Sequence, residues 1–329
     1  MNISIISDFN IAGQPTALMR AINKYTQHKA RCIIAYDDSF AYDKDILLSD
    51  PGAEKEATDW VKQCDFFHFG RGIFSWAGTD WDSNGLLNKN NCCIKYYGSE
   101  LRDNWQTLQR FHENTGILAI TGTDWSITGH LLNSFYHLGS YFTKYGDMDD
   151  VPVALRRGNG PLKICAGSAG NPMKGYDYLY QVIGELQAEG VLVELEILSQ
   201  LSNKECLERK QECQVTFTSL HGAWGISGVE SMWLGHVVMS CLGPWIMSHY
   251  SDNPTVLICK ENLKQKIKML AALSDAELQR WGKETKTFAR RNFSTKTILK
   301  RYLYLFDLIM NRDEYLDGCK NPKFIYDDF

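Results

Sequence analysis

The sequence predicts an α/β protein made of two doubly wound, Rossmann-like domains that face each other across a cleft. Its 329 residues exceed what one core comfortably serves, so two domains of ordinary size are the default. The first stretch reads as strand, turn, helix and strand, the opening of a doubly wound sheet. The same pattern restarts at Leu162. Between the two runs DMDDVPVALRRGNGP, from Asp147 to Pro161, where acidic residues, prolines and glycines cluster as an interdomain linker. The implied division is a first domain over 1–155 and a second over 160–310. A mixed, acidic tail over 311–329 has the option of packing back on the first domain. A ligand site is expected in the cleft.

In chain order, Asn2 to Ser7 (NISIIS) is a short apolar strand and Asp8 to Pro15 a turn. Thr16 to Tyr25 has helical spacing through Leu18, Ala21 and Ile22. Arg31 to Tyr36 is the second strand, and the acidic, aromatic stretch Asp37 to Asp50 a loop at the sheet edge. Ala53 to Gln63 reads as a helix and Cys64 to Phe69 as a strand, with further strands at Ile94 to Tyr97 and Ile117 to Thr121. In the second unit Leu162 to Ala166 is a strand, Ser168 to Gly175 a loop of small residues, and Tyr176 to Ala188 a helix. Leu192 to Leu198 is a strand, Asn203 to Glu212 a helix and Gln214 to Ser219 a strand. Pro254 to Lys260 reads as a strand. Three helices close the chain, at Glu261 to Ala272, Asp275 to Arg291 and Thr295 to Met310, the second capped by Ser274.

Hydrophobic residues at 44% and charged residues at 22% are ordinary for a soluble globular protein. No apolar window approaches the roughly 18 residues of a membrane span, and the N-terminus lacks a basic region followed by an apolar run. Neither a span nor a signal peptide is expected. The ten cysteines are scattered without a CxxC pair, which fits reduced thiols in a cytoplasmic protein. Residues 1–150 carry 13 Lys+Arg against 19 Asp+Glu, and the remainder 22 against 20. An extended polyanion such as DNA needs a basic face, and whole-chain charge offers it no support.

The stretch with most chemistry in it is His221 to Gly243, HGAWGISGVESMWLGHVVMSCLG. It reads as a glycine turn, a helix and a strand. On the helix Ile226, Val229, Glu230, Trp233 and Leu234 share one face, so Glu230 is a carboxylate pointed into protein. A buried charge needs a partner or hydrogen bonds. Gly222, Gly225 and Gly228 strip side chains from the helix start, where free N–H groups and the helix dipole suit a phosphate. A phosphate at the amino end and a hydroxyl-bearing group, such as a ribose, one turn further on would use both features. The alternative is a glycine-rich turn with Glu230 salt-bridged at a surface.

Together these motifs resemble the GT-B glycosyltransferases, in particular the large, mostly retaining family of bacterial-type (family 4-like) sugar transferases. Gly13 in NIAGQPTALMRAI stands where that family has its first glycine loop. Tyr97-Gly98-Ser99-Glu100-Leu101-Arg102 is similar to its "HGSDLR" segment, and Gly167 to Gly175 to the loop whose lysine binds donor phosphate. Gly222-Ala223-Trp224-Gly225 followed by Glu230 and SMWLGHVV is similar to its "GxxG…EAMAxGxPV" donor signature. Three positions depart from the pattern. Gly222 stands where many members have a glutamate, the loop Ser168 to Met173 has no arginine, and Tyr97 replaces a frequent histidine.

The resemblance implies a metal-independent enzyme with no cofactor other than its donor, a UDP- or GDP-linked sugar. Lys174, Glu230 and Tyr97 are the implied catalytic residues. Gly13, Gln14, Ser168, Gly222, Trp224, Gly225 and Ile226 are expected around the donor, and His68 and Ser99 on the acceptor side. Arg156 or Arg157 is a candidate for the missing second cation. Acceptors compatible with the family are a glycan, a lipid-linked glycan, or a modified base in phage-type DNA. Two other classes stay open on the residues alone: a nucleotide-binding module without turnover, and a nicotinamide-dependent oxidoreductase hinted at by Gly70-Arg71-Gly72.

Overall fold

The computed structural model describes residues 1–37, 42–77, 79, 81, 86–121, 135–137, 141–148, 150–151, 157–167 and 174–311, with the side chains of 98–103, 135–137 and 245 excepted. Seven parallel strands form the first sheet: β1 (Asn2–Ser7), β2 (Lys29–Ile34), β3 (Ile46–Leu47), β4 (Phe66–Gly70), β5 (Cys92–Tyr96), β6 (Leu118–Thr121) and β7 (Phe135–His137). Their order is β3-β2-β1-β4-β5-β6-β7. Helices α1 (Gln14–Tyr25), α2 (Ala53–Val61) and α3 (Gly98–Thr115) connect them. The five-stranded second sheet contains β8 (Leu162–Gly167), β9 (Val193–Leu198), β10 (Val215–Ser219), β11 (Val237–Ser240) and β12 (Val256–Leu257), ordered β12-β11-β10-β8-β9. Its helices are α4 (Tyr176–Ala188), α5 (Asn203–Lys210), α6 (Gly225–Trp233), α7 (Pro244–His249), α8 (Leu263–Ala272), α9 (Asp275–Phe293) and α10 (Thr295–Met310).

Strands buried on both faces must divide their side chains between two cores. In β4, Phe67 and Phe69 pack on Trp81, whereas Phe66 and His68 face Tyr302 and Phe306 of α10. That alternation is the two-residue period of a strand. The last helix therefore crosses back. Residues 295–310, grouped by sequence with the second domain, bury Ile298, Tyr302, Leu305 and Phe306 in one core with Ile3 and Ile5 of β1 and Leu18 of α1. The apolar stripe of α10 was legible; the sheet it would cover was not.

Other differences from the sequence reading are local. The stretch Asp37 to Asp50, expected as a loop, contains the two-residue β3. Helices α3 and α7 and strand β7 were not expected. Gln14 and Pro15 belong to α1, with proline in the first turn where its missing N–H costs nothing. No helix among the described residues is long and apolar enough to cross a membrane. The tail beyond Asn311 lies outside the described residues.

Candidate active site

In an open α/β sheet, ligands bind beyond the carboxyl ends of the strands where the strand order reverses. In the second sheet that point lies between β8 and β10, which are neighbours and end at Gly167 and Ser219. The loops leaving them are stitched together. The Leu220 amide donates to the Lys174 carbonyl at 3.0 Å. Gly175 has φ +80°, and a Cβ there would lie 2.6 Å from a Leu220 methyl group, so the close approach requires glycine. A Cβ on Gly167 would lie 3.1 Å from Ser227 Oγ, so the start of α6 sits directly over the end of β8.

That helix start is open. Gly222 and Gly225 take φ of +68° and +61°, and nothing lies within 4 Å of a Cβ built on Gly225. The first backbone bond into the helix runs from the Gly228 amide to the Trp224 carbonyl at 3.2 Å. The four amides of Trp224 to Ser227 have no acceptor among the described residues. They form a row of donors at the positive end of a helix.

Two lysines and one carboxylate gather behind this row. Lys210, the last residue of α5, donates from Nζ to Glu230 Oε2 at 2.7 Å and to the Ser227 carbonyl at 3.2 Å. Lys210 is 1% exposed and Glu230 7%. Burial pulls the Lys210 pKa down, but its neighbours, Glu230 foremost, together outweigh it and the net shift is upward. Among the described residues Glu230 Oε1 has only a long contact, 3.4 Å, from Asn203 Nδ2. Lys174 has no carboxylate partner among the described residues. Burial first, and the Lys210 ammonium second, hold its pKa below the usual lysine value. From the other side Tyr145 is buried here, and burial and then Glu230 push its phenol upward.

A cavity of about 630 Å³ opens in front, walled by Gly13, Ala17 and Arg20 from the first lobe and by Asn203, Ile226 and Glu230 from the second. Gly13 has φ +68°, and a Cβ there would meet the Tyr42 ring at 2.8 Å, so this position too requires glycine. The structure thus brings Gly13, Ile226 and Glu230 to one cavity, with Gly222, Gly225 and Lys174 at the adjoining strand ends.

Other expected site residues go elsewhere. Gln14 turns its carboxamide to the protein, accepting from the Phe142 amide at 2.9 Å and donating to the Phe142 carbonyl at 2.7 Å and the Ala12 carbonyl at 3.4 Å. It braces the cleft wall and does not reach into it. Trp224 is a core residue, donating to Thr255 Oγ1 at 2.8 Å and packing on Tyr250, Phe288 and Phe293. His68 is packed under α10, and burial, then Lys95, lower its pKa to about 3, so it is neutral. Tyr97 caps α3 with its ring 5.5 Å from Lys95 Nζ and does not line the cavity. Arg157 is bound to the Gly160 and Ala271 carbonyls, each at 2.8 Å, which removes it as the second cation. Arg71, between the two glycines, pairs with Asp8 at 3.1 Å. Ser168, Arg156 and the side chain of Ser99 lie outside the described residues.

Lys210, Asn203 and Tyr145 were missed. The signal for the first two was present, because Asn203, Leu207 and Lys210 recur at helical spacing and Leu207 is plainly a core position. Among the described residues no group of three or more His, Cys, Asp or Glu could hold a metal ion.

No protein-family model matches the chain, and no curated protein matches it in sequence. Solved structures do match in shape. Sucrose-phosphate synthase from Thermosynechococcus elongatus is 12% identical with a TM-score of 0.60, over 95% of this chain and 100% of that one. HepE from Anabaena, in complex with UDP and glucose, is 11% identical at 0.61, over 93% and 99%. An alpha-glucosyltransferase in complex with UDP-glucose and DNA containing an abasic site is 9% identical at 0.57, over 93% and 99%. At such identities the likeness is one of architecture. Two parallel α/β sheets around a cleft, matched over nearly the full length, make this a GT-B fold.

Proposed function

We propose that the protein is a cytoplasmic glycosyltransferase that moves a sugar from a nucleotide-diphosphate sugar to an acceptor hydroxyl. The second lobe, residues 160–310, takes the donor, and the first, residues 1–155, presents the acceptor. One observation carries the reading: the open amides at the start of α6 and the loop carrying Lys174, which has no carboxylate partner among the described residues, stand at the ends of β10 and β8, the switch point, beside a carboxylate that lines the cleft. Donors of that kind suit a diphosphate, and a fixed carboxylate suits a pair of ribose hydroxyls.

In the reaction the bond from the anomeric carbon to the diphosphate breaks, and a bond to the acceptor oxygen forms. The diphosphate leaves with the electron pair, and the acceptor hydroxyl gives up its proton. In this reading the α6 amides and Lys174 take up the charge that develops on the diphosphate, and donors fixed by the fold do so with little reorganisation. Lys210 fixes one oxygen of Glu230 and leaves the other toward the cavity, which orients the nucleoside. In this reading no metal or cofactor is required, and retention of configuration follows from the family resemblance.

A glycan, a lipid-linked glycan or a modified DNA base remains the acceptor class. The acidic balance of the first half speaks against a long polyanion. The test is incubation with UDP- and GDP-sugars, scored by released nucleotide diphosphate. Turnover of one donor is the expected result. Failure of both diphosphates to bind by calorimetry would overturn the assignment.

A further inference from the structure

We propose that Asn203 is a specificity-determining residue: its carboxamide oxygen accepts one ribose hydroxyl while Glu230 Oε1 accepts the other. The cleft then takes ribonucleoside diphosphates and discriminates against those lacking either hydroxyl. The inference rests on the reading of the cleft as a nucleoside-diphosphate site and adds how the sugar of the nucleoside is told apart.

A carboxylate with both oxygens open can accept two neighbouring hydroxyls by itself. Glu230 is not in that position. The Lys210 ammonium takes its Oε2 at 2.7 Å, in a place where Lys210 is 1% exposed. Glu230 and Asn203 line the cavity, whereas Lys210 stands behind its wall. Breaking the pair to release Oε2 would strand a buried charge. One oxygen therefore remains for two hydroxyls.

The second acceptor is next to it. Asn203 Nδ2 lies 3.4 Å from Glu230 Oε1. A carboxylate in an ion pair only accepts, so this contact fixes the carboxamide: its nitrogen is turned to Glu230, and Oδ1 is left for another donor. Asn203 is half-buried on the cavity wall, within reach of a ligand. Two hydroxyls on the same wall are already engaged. Ser202 Oγ donates to Glu205 Oε2 at 2.6 Å, and Thr16 Oγ1 is shared between the Asn10 carboxamide and the Gly13 carbonyl.

Both ends of α5 hold this arrangement. Asn203 and Lys210 are seven residues apart, about two helical turns, and so share a face. Ser202 caps the helix in a full capping box with Glu205, which fixes the backbone at Asn203. One helix thus delivers an amide and an ammonium to the two oxygens of one carboxylate.

The test is calorimetric titration of the full chain with UDP, 2′-deoxy-UDP and 3′-deoxy-UDP, and with the GDP series in parallel. Each deoxy analogue should bind about tenfold more weakly than its parent, the cost of leaving an acceptor unpaired. In Asn203→Ala the penalty for one deoxy analogue should vanish while the other persists, because Glu230 still reads its own hydroxyl. Lys174→Met should weaken parent and analogues alike and leave their ratios unchanged. These ratios are taken on one protein at a time, so they do not depend on its folded fraction. A wild-type chain that binds parent and analogues equally, or an Asn203→Ala variant that keeps both penalties or loses both, would overturn the proposal while the donor reading stands. Binding of neither UDP nor GDP would remove the donor reading, and this inference with it.

Discussion

Lys210 and Glu230, twenty residues apart in the chain, form an ion pair at 2.7 Å that water scarcely reaches. Removing one partner strands the other as an uncompensated buried charge, which costs about 3 kcal/mol or more. Lys210→Met and Glu230→Leu should each lower the urea-unfolding free energy by that amount, and the double variant should recover most of the loss. Additive losses would mean that the two charges are not coupled. The pair also changes how Glu230 must be probed. Truncation to alanine confounds binding with stability, and Glu230→Gln, which keeps the shape, still removes the charge that offsets Lys210, so nucleotide affinity in either variant is compared at a measured folded fraction.

Lys174 provides the cleanest separation of function from fold. Its ammonium has no carboxylate partner among the described residues, so Lys174→Met should shift stability by less than about 0.5 kcal/mol. It should weaken UDP or GDP binding by about 2 kcal/mol, roughly thirtyfold, the scale of a charge-assisted hydrogen bond. The pH dependence has a fixed sign. Burial and then Lys210 lower the pKa of the free protein below 10.5, and a bound diphosphate raises it again. Affinity is therefore full at neutral pH and falls as pH rises through the lowered value. Calorimetry from pH 7 to 10 checks this, and a flat profile would remove Lys174 from the phosphate seat.

Much of the scaffold was readable from patterning. Tyr176–Ala188 and Asn2–Ser7 have the bounds the residues imply, because each carries a clear apolar period between glycine or polar breaks. Helix α3 escaped notice because its apolar positions, Trp105, Leu108 and Phe111, are sparse among polar residues. Strand β7 is three residues long and gives no period at all. Within the site, the glycines and Glu230 stood out because their residue types are unusual in those positions. Lys210 did not, since a lysine ending a charged helix is ordinary, and only the fold shows what it faces. His68 and Trp224 misled for a related reason: a strand or helix start with apolar residues on both faces does not say which face meets the cleft.

Two buried histidines should make the protein acid-sensitive well above carboxylate pH. Burial, then Lys95, holds His68 to about 3. Burial lowers His112 to about 4, against the raising effect of the Ile117 carbonyl. Unfolded, both titrate near 6.5. Below 6.5 the unfolded chain takes up protons that the folded one refuses. The stability they confer is complete above that pH and is lost as pH falls toward 4. Each histidine contributes up to about 1.4 kcal/mol per pH unit. Urea midpoints from pH 7 to 4.5 should show the decline, and H68F/H112Q should flatten it. An unaltered slope would assign the acid response to other groups.

Two glycines in helices offer opposite outcomes from the same substitution. Gly282 in α9 passes so close to the turn after α6 that a Cβ would lie 2.1 Å from the Gly235 carbonyl oxygen. Backbone on both sides cannot yield locally, so Gly282→Ala must push α9 off α6 and should cost about 3 kcal/mol, the upper end for overpacking. Gly184 sits on the exposed side of α4, with nothing within 4 Å of its would-be Cβ. There the methyl group only restricts the unfolded chain and improves helix propensity, so Gly184→Ala should add about 0.5 to 1 kcal/mol. Thermal melts of the two variants should therefore move in opposite directions. Because α9 supports the helix whose amino end faces the cleft, the first variant should also lose nucleotide affinity, and the second should not.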